Sequence, residues 1–129
     1  MDCIPHYDEA TLKGGSDPTN GFTCGFFGPP GWFTMHVGAA NVPLKKKDDP
    51  ERYQDFIQFI RSYGKTLPCK KCRQNFAQHL KVVSRLLTSA RTRRQMEDAV
   101  FKLHNIVNKS IGKKVLNSTE LESVRKMYH

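Results

Sequence analysis

The segment that most constrains the fold is the run from Asp49 to Gly64. Asp49 and Pro50 are residue types preferred at a helix N-cap and in its first turn. Apolar side chains then recur at intervals of three and four, at Tyr53, Phe56, Ile57, Ile60 and Tyr63. The run therefore predicts an amphipathic helix with one buried face, ending at the glycine.

Three other segments have the same helical spacing of apolar side chains. They run from Gly28 to Pro43, from Pro68 to Ser89 and from Met96 to Gly112. Gly112 is well placed to be the left-handed residue that ends the last of them. Thr119 and Glu122 form a capping-box pattern for a short final helix. Because strand patterns are missing, the sequence predicts an all-α protein: a four-helix bundle plus a short fifth helix.

The first 26 residues lack this pattern. They contain several glycines, hardly any apolar period and two of the four cysteines, Cys3 and Cys24. We therefore expect an irregular, mobile N-terminal arm over residues 1–26 and a helical domain over residues 27–129. The two cysteines are compatible with a redox pair that shuttles electrons, with a bridge that closes a loop, or with free thiols.

The other two cysteines, Cys69 and Cys72, are spaced as Cys-x-x-Cys at the start of the third helical run. One helical turn separates them, so they share a face and are close enough to form a disulfide. The helix dipole and the neighbouring lysines favour the thiolate, which makes this a reactive pair more readily than a structural one. The same spacing also occurs in half of a zinc site and in buried, inert pairs.

Polar side chains also lie beside the apolar stripe of the fourth run. His104, Asn105 and Asn108 share a face, and lysines follow at positions 109, 113 and 114. Together they could bind one polar ligand, with the lysines suited to phosphate. Trp32 and His36 are one turn apart in the first run and are suited to holding a planar ring. Each of these residues could instead be an ordinary core or surface residue.

Three motifs resemble the Erv/ALR family of FAD-linked sulfhydryl oxidases. They are Gly28-x-x-x-Trp32-x-x-x-His36, the run to Tyr63 before Pro68-Cys69-x-x-Cys72, and His104-Asn105-x-Val107-Asn108-x-x-Ile111-Gly112-Lys113. The resemblance covers about residues 27 to 117 and implies a helical bundle around FAD, commonly as a homodimer. It places Gly28, Trp32, His36, Tyr63, His104, Asn105 and Asn108 at the cofactor, with Lys109 and Lys113 at its polar periphery. The Gly-Pro-Pro-x-Trp opening is similar to versions encoded by large DNA viruses.

The same resemblance implies a mechanism and two departures from cellular relatives. Cys69 would be the point of attack by a substrate thiol and Cys72 the sulfur next to the flavin, with electrons passing through FAD to oxygen to give hydrogen peroxide. Phe101 and Ser118 stand where many cellular members have a second, structural cysteine pair. Reduced protein thiols are the expected substrates.

The charge of the chain leaves one rival function. Lys and Arg outnumber Asp and Glu by 21 to 12, a net charge of +9, which suits an anionic partner. A zinc-stabilised nucleic-acid-binding module could use Cys69 and Cys72 with His79 or His104. We expect neither nucleic acid nor a metal ion, because a second close Cys/His pair is missing. No signal peptide or transmembrane run is visible, so the location stays open, with host cytoplasm or virion the choices for a viral protein.

Overall fold

The computed structural model describes the backbone of residues 16–17, 21–22, 24–68 and 70–127, and most side chains from residue 30 onward. Two antiparallel two-residue strands, β1 (Ser16–Asp17) and β2 (Gly21–Phe22), precede the helices. The helices are α1 (Cys24–Ala40), α2 (Pro50–Lys65), α3 (Lys70–Ser89), α4 (Arg93–Ser110) and α5 (Ser118–Met127). The all-α prediction is confirmed, with this short ladder as an addition that no sequence pattern indicated.

Helices α1 to α4 form a bundle in which each packs against its two neighbours around a ring. The core lies between them and contains Met35, Ile57, Ile60, Val83, Leu87, Met96 and Leu103, each at most 2% exposed. The apolar positions predicted from spacing face this core, because residues three and four apart share one side of a helix. At one end of the bundle, backbone hydrogen bonds from Lys46 and Arg93 join the loop between α1 and α2 to the loop between α3 and α4.

The predicted ends of two helices are confirmed. The Asp49 side chain accepts a hydrogen bond from the backbone N–H of Arg52, 3.3 Å away, at the start of α2. At the end of α4, Gly112 has φ +76°, and the backbone N–H of Lys113 donates to the carbonyl of Asn108. These hydrogen bonds satisfy backbone groups that a helix end otherwise leaves unpaired.

Two other helix starts differ from the prediction. Helix α1 begins at Cys24, four residues before the expected glycine-proline opening. Helix α5 is capped by Asn117, whose side chain accepts from the N–H of Glu120 at 2.9 Å, and Thr119 lies inside the helix. The capping-box prediction at Thr119 is therefore wrong, because Asn117, a residue type that is preferred over threonine at an N-cap, takes this role two positions earlier.

Helix α5 is held to α4 by charges. Arg125 forms a salt bridge with Glu122 within α5. Its guanidinium also lies 3.9 Å from the buried carboxylate of Glu97 on α4. Arg94 on α4 also contacts Glu122, at 3.3 Å. None of the described helices is long and apolar enough to cross a membrane.

Helices α2 and α3 approach closely where Gly64 meets Phe76. A Cβ atom at Gly64 would lie 2.3 Å from the Phe76 ring, which is only 6% exposed and has little room to move. Gly64 is therefore required by packing, although alanine is the better helix former.

We predict that Gly64→Ala destabilises the fold by about 1 to 3 kcal/mol, because the steric cost exceeds the helix propensity that alanine gains. Urea unfolding monitored by circular dichroism measures this. In a Phe76→Leu background the same change costs less, since the smaller side chain makes room. The control is Ser62→Ala at an exposed position of α2, with an expected effect within about 0.5 kcal/mol. A Gly64→Ala protein as stable as the parent would contradict the prediction.

Candidate functional site

A cavity of about 600 Å³, open to solvent on one side, lies between α1, α2, α3 and α4. Six of the predicted site residues line it: Trp32, Tyr63, Cys72, His104, Asn108 and Lys113. They are up to 81 positions apart in sequence and meet only because four helices converge here. Its size is within the range of pockets that hold cofactors.

Cys72 lies in the cavity wall and is 9% exposed. It is half of a disulfide bond whose other half lies outside the described residues. Cys69, the partner that the sequence predicts, is itself outside the described residues, as are Cys3 and the side chain of Cys24. The surroundings of Gly28 are likewise not described. The cavity thus contains one redox-capable group at a known position.

Aromatic rings form one side of the cavity. The Trp32 and His104 rings stack with centroids 4.1 Å apart and only 10° between their planes. The Phe76 ring lies 6.4 Å from Trp32 at a tilt of 37°. Flat, parallel rings of this kind provide a surface on which a planar heterocycle can pack.

The two histidines at this site form a pair. His36 Nε2 and His104 Nδ1 are 2.8 Å apart, so one ring nitrogen donates a proton and the other accepts it. His36 is 3% exposed and does not line the cavity; it packs beneath His104 and against Phe101, whose ring centroid is 4.6 Å away. If both rings were positively charged, two N–H donors would face each other. The hydrogen bond therefore requires at least one neutral ring.

The surroundings of both histidines favour the neutral form. Desolvation, and secondarily the charge of His104, lowers the pKa of His36 to about 3. Desolvation, followed by the positive charge of Lys113, lowers the pKa of His104 to about 4. The second cause shows that the charge of Lys113 acts at the cavity wall. At neutral pH the stacked imidazole is thus uncharged.

The two asparagines form hydrogen bonds with the backbone of the segment that follows α4. Asn105 contacts the backbone of Leu116 twice: its Nδ2 donates to the carbonyl at 2.9 Å, and its Oδ1 accepts from the N–H at 3.0 Å. Asn108, 8% exposed, donates to the carbonyl of Lys114 at 3.3 Å. The amides hold the segment after α4 against that helix. They therefore position Lys113 and Lys114 at the cavity, which Asn108 also lines.

Several cavity residues were not among the predicted site residues. The apolar ones include Met35, Leu67, Phe76 and Val107, and the polar ones include Asn75 and Ser110. Apolar lining residues carry the same sequence signal as core residues, so spacing could not separate them. Lys109 is exposed on α4 and is not part of the cavity lining. Lys114 pairs with Glu120 at 3.0 Å.

The zinc module is not supported. Cys72 is oxidised to a disulfide, which removes the thiolate that a zinc ion requires. Within the described part of the chain, no three His, Cys, Asp or Glu side chains are grouped so that they could hold a metal ion.

One protein family and three individual proteins are similar to this chain in sequence. The model of the Erv1/Alr family matches residues 30–128. A probable FAD-linked sulfhydryl oxidase of Acanthamoeba polyphaga mimivirus is 34% identical over 98 residues, covering 74% of this chain and 66% of that protein. An FAD-linked sulfhydryl oxidase of African swine fever virus is 31% identical over 104 residues, covering 76% and 78%. The enzyme ERV1 of Oryza sativa subsp. japonica is 29% identical over 86 residues. The aligned part spans less than two thirds of the mimivirus and rice proteins, 66% and 41%.

The histidine pair predicts how stability depends on pH. Both folded pKa values lie below the ordinary 6.5, so the unfolded chain binds more protons and stability falls as pH decreases from about 6.5 towards 4. Urea unfolding between pH 7.5 and 4.5 measures the slope. His36→Gln removes one buried titrating group and flattens this dependence, whereas His79→Gln, at a half-buried cavity position, serves as the control. Equal slopes in the parent and the His36→Gln protein would contradict this prediction.

Proposed function

The chain belongs to the Erv1/Alr family, and from this premise we propose that it is an FAD-linked sulfhydryl oxidase that forms disulfide bonds in thiol substrates with oxygen as electron acceptor. The observation that carries the proposal is the disulfide of Cys72 in the wall of a cavity that also contains stacked aromatic rings and a lysine. A redox-active sulfur and a site for a planar, anionic cofactor thus share one space.

The cavity residues fit FAD in chemical type. The apolar lining and the Trp32–His104 stack suit its planar rings, and Lys113 supplies positive charge for its pyrophosphate. The neutral state of His104 suits ring stacking in a partly desolvated space. We propose that Trp32, Tyr63, His104 and Lys113 contact FAD directly. His36, Asn105 and Asn108 would then act by holding these residues in place.

The residues of this chain carry the thiol chemistry. We propose that Cys69 and Cys72 form the active disulfide, as the resemblance implies. A substrate thiolate attacks one sulfur, a mixed disulfide forms and the other sulfur leaves as a thiolate. The second substrate thiol then displaces the enzyme sulfur, so the substrate is oxidised by two electrons and the enzyme pair is reduced. The chemistry that bound FAD supplies is acceptance of these two electrons and their delivery to oxygen, with hydrogen peroxide as product.

Two further proposals come from the resemblance alone. Cys3 and Cys24 would form a shuttle pair that passes electrons from protein substrates to the inner disulfide, and two chains would form a homodimer. A molar mass in solution of twice 14.8 kDa is the expected result for the dimer.

The first test of the function is the purified protein itself. We expect a yellow protein with a flavin absorbance spectrum and dithiothreitol-dependent oxygen uptake that yields hydrogen peroxide. Cys72→Ser lowers this uptake at least about 100-fold, because the disulfide can no longer form, and it keeps the flavin spectrum. The control Cys3→Ser/Cys24→Ser keeps turnover of the small dithiol and, for a shuttle pair, loses turnover of a reduced protein. Parental oxygen uptake by the Cys72→Ser protein would sink the assignment.

A second prediction separates positioning residues from helix caps. Asn105→Ala removes both hydrogen bonds to Leu116 and weakens FAD binding about tenfold, because Lys113 is no longer held at the cavity. Flavin fluorescence during titration of the apoprotein measures this. Asn117→Ala removes the cap of α5 and is the matched control: it costs about 1 kcal/mol of stability with little change in FAD affinity. Equal losses of FAD affinity in the two variants would contradict the positioning role.

A further inference from the structure

A second hollow of about 240 Å³, which we name the basic groove, lies between α2 and α3. Four of the eight residues that line it are cationic: Arg61 and Lys65 on α2, and Arg73 and Lys81 on α3. None of the described lining residues is acidic, and the remainder are small or apolar: Gly64, Ala77, Leu80 and Ser84. The groove is therefore a concentrated positive surface.

The basic groove and the cavity lie back to back across the contact between α2 and α3. In sequence, Tyr63, Cys72 and Phe76 line the cavity, while the residue that follows each of them lines the groove. The packing of Phe76 on Gly64 separates the two spaces. The groove thus begins one residue from the disulfide-bonded Cys72.

Arg73 in the groove also forms a hydrogen bond with the loop that leads to the Cys-x-x-Cys segment. Arg73 Nη1 donates a hydrogen bond to the backbone carbonyl of Leu67. The ion pairs found among the described residues engage Arg94, Lys114 and Arg125, all outside the groove. Positive charge on Arg61, Lys65 and Lys81 is accordingly presented along the surface between α2 and α3, which begins beside Cys72.

We propose that the basic groove docks acidic residues that flank the reactive thiols of protein substrates; this proposal rests on the oxidase function proposed above. FAD would fill the cavity on one side of the contact between α2 and α3. A substrate therefore approaches from the other side. The net charge of +9 steers acidic partners towards the protein. The groove then holds the substrate near the disulfide, where its thiolate is the attacking species.

The reaction at this surface is the thiol exchange already given. The docked dithiol loses two electrons and two protons and becomes a disulfide, while the enzyme disulfide becomes a dithiol. The groove residues change no bond. They contribute to substrate affinity by pairing with acidic residues, so their effect is confined to substrates that carry negative charge near the thiols.

The test compares two variants with the same change in net charge. Arg61→Gln/Lys65→Gln/Lys81→Gln removes groove charge but leaves Arg73 to hold Leu67. Lys47→Gln/Arg91→Gln/Lys102→Gln removes one arginine and two lysines from exposed positions elsewhere. Circular dichroism and urea unfolding check that both variants are folded.

The first measurement is binding and needs no turnover. A fluorescent peptide with Ser-Gly-Ser-Ser between glutamate pairs, a form that cannot be oxidised, is titrated by anisotropy. We expect the groove variant to bind at least about tenfold more weakly than the parent and the control variant less than about twofold. Raising salt from about 0.02 M to about 0.3 M removes most of the difference in peptide affinity between the parent and the groove variant, because exposed charges are screened.

The second measurement is oxygen uptake with Cys-Gly-Ser-Cys peptides flanked by glutamates or by glutamines. For the groove variant, kcat/KM falls about tenfold with the glutamate peptide and stays within about twofold with the glutamine peptide and with dithiothreitol. Equal losses in the groove and control variants would overturn the proposal in favour of net charge alone.

Two other outcomes also overturn the docking proposal. Peptide binding seen only after Asp2, Asp8 and Glu9 are made neutral identifies the chain's own N-terminal segment as the occupant. Tighter binding of a single-stranded oligonucleotide than of the acidic peptide identifies nucleic acid as the partner. Failure of the oxidase function is separate, since it would show as an absence of dithiothreitol-dependent oxygen uptake in the parent protein while the binding measurement stays valid.

Discussion

The close contact of Gly64 with Phe76 is the constraint on which both the cavity and the basic groove depend. It brings α2 and α3 together without an intervening side chain, and it places the start of α3, with Cys72, against the rest of the bundle. The cavity lies on one side of this contact and the basic groove on the other. A glycine at the end of α2 thus does more for the site than many residues that line it, because side-chain volume here would push the two helices apart.

Polar groups near the cavity are arranged so that few of them need a ligand. His36 and His104 share a hydrogen bond, and Asn105 and Asn108 bind backbone carbonyls of the segment after α4. Buried polar groups are costly when unpaired, so these internal bonds stabilise the arrangement of side chains around the cavity. Lys113, in contrast, is exposed and acts through its charge, which is felt at His104. The hydrogen-bonded side chains therefore fix the shape of the cavity, and the lysine supplies its positive charge.

One departure from cellular relatives can be understood from the packing. Phe101 stands where the resemblance places a structural cysteine, and it is 5% exposed with its ring against His36. An aromatic side chain in this position supplies buried apolar area and covers the histidine pair. At the other position, Ser118 is the first residue of α5, whose attachment to α4 comes from Arg94, Glu97, Glu122 and Arg125. Packing around Phe101 and charge pairs on α5 hold these two elements in this chain.

The sequence by itself determined the main helices, the Cys-x-x-Cys pair and six of the residues that line the cavity. These features depend on spacing along one helix or on caps such as Asp49 and Gly112, where the interacting groups are a few residues apart. The family resemblance added the cofactor and the chemistry. Only the tertiary structure decided that Asn105 binds Leu116, that His36 lies beneath His104 and that four cations of α2 and α3 form one groove. These relations join side chains on different elements, and no periodicity within one segment contains the distances between them.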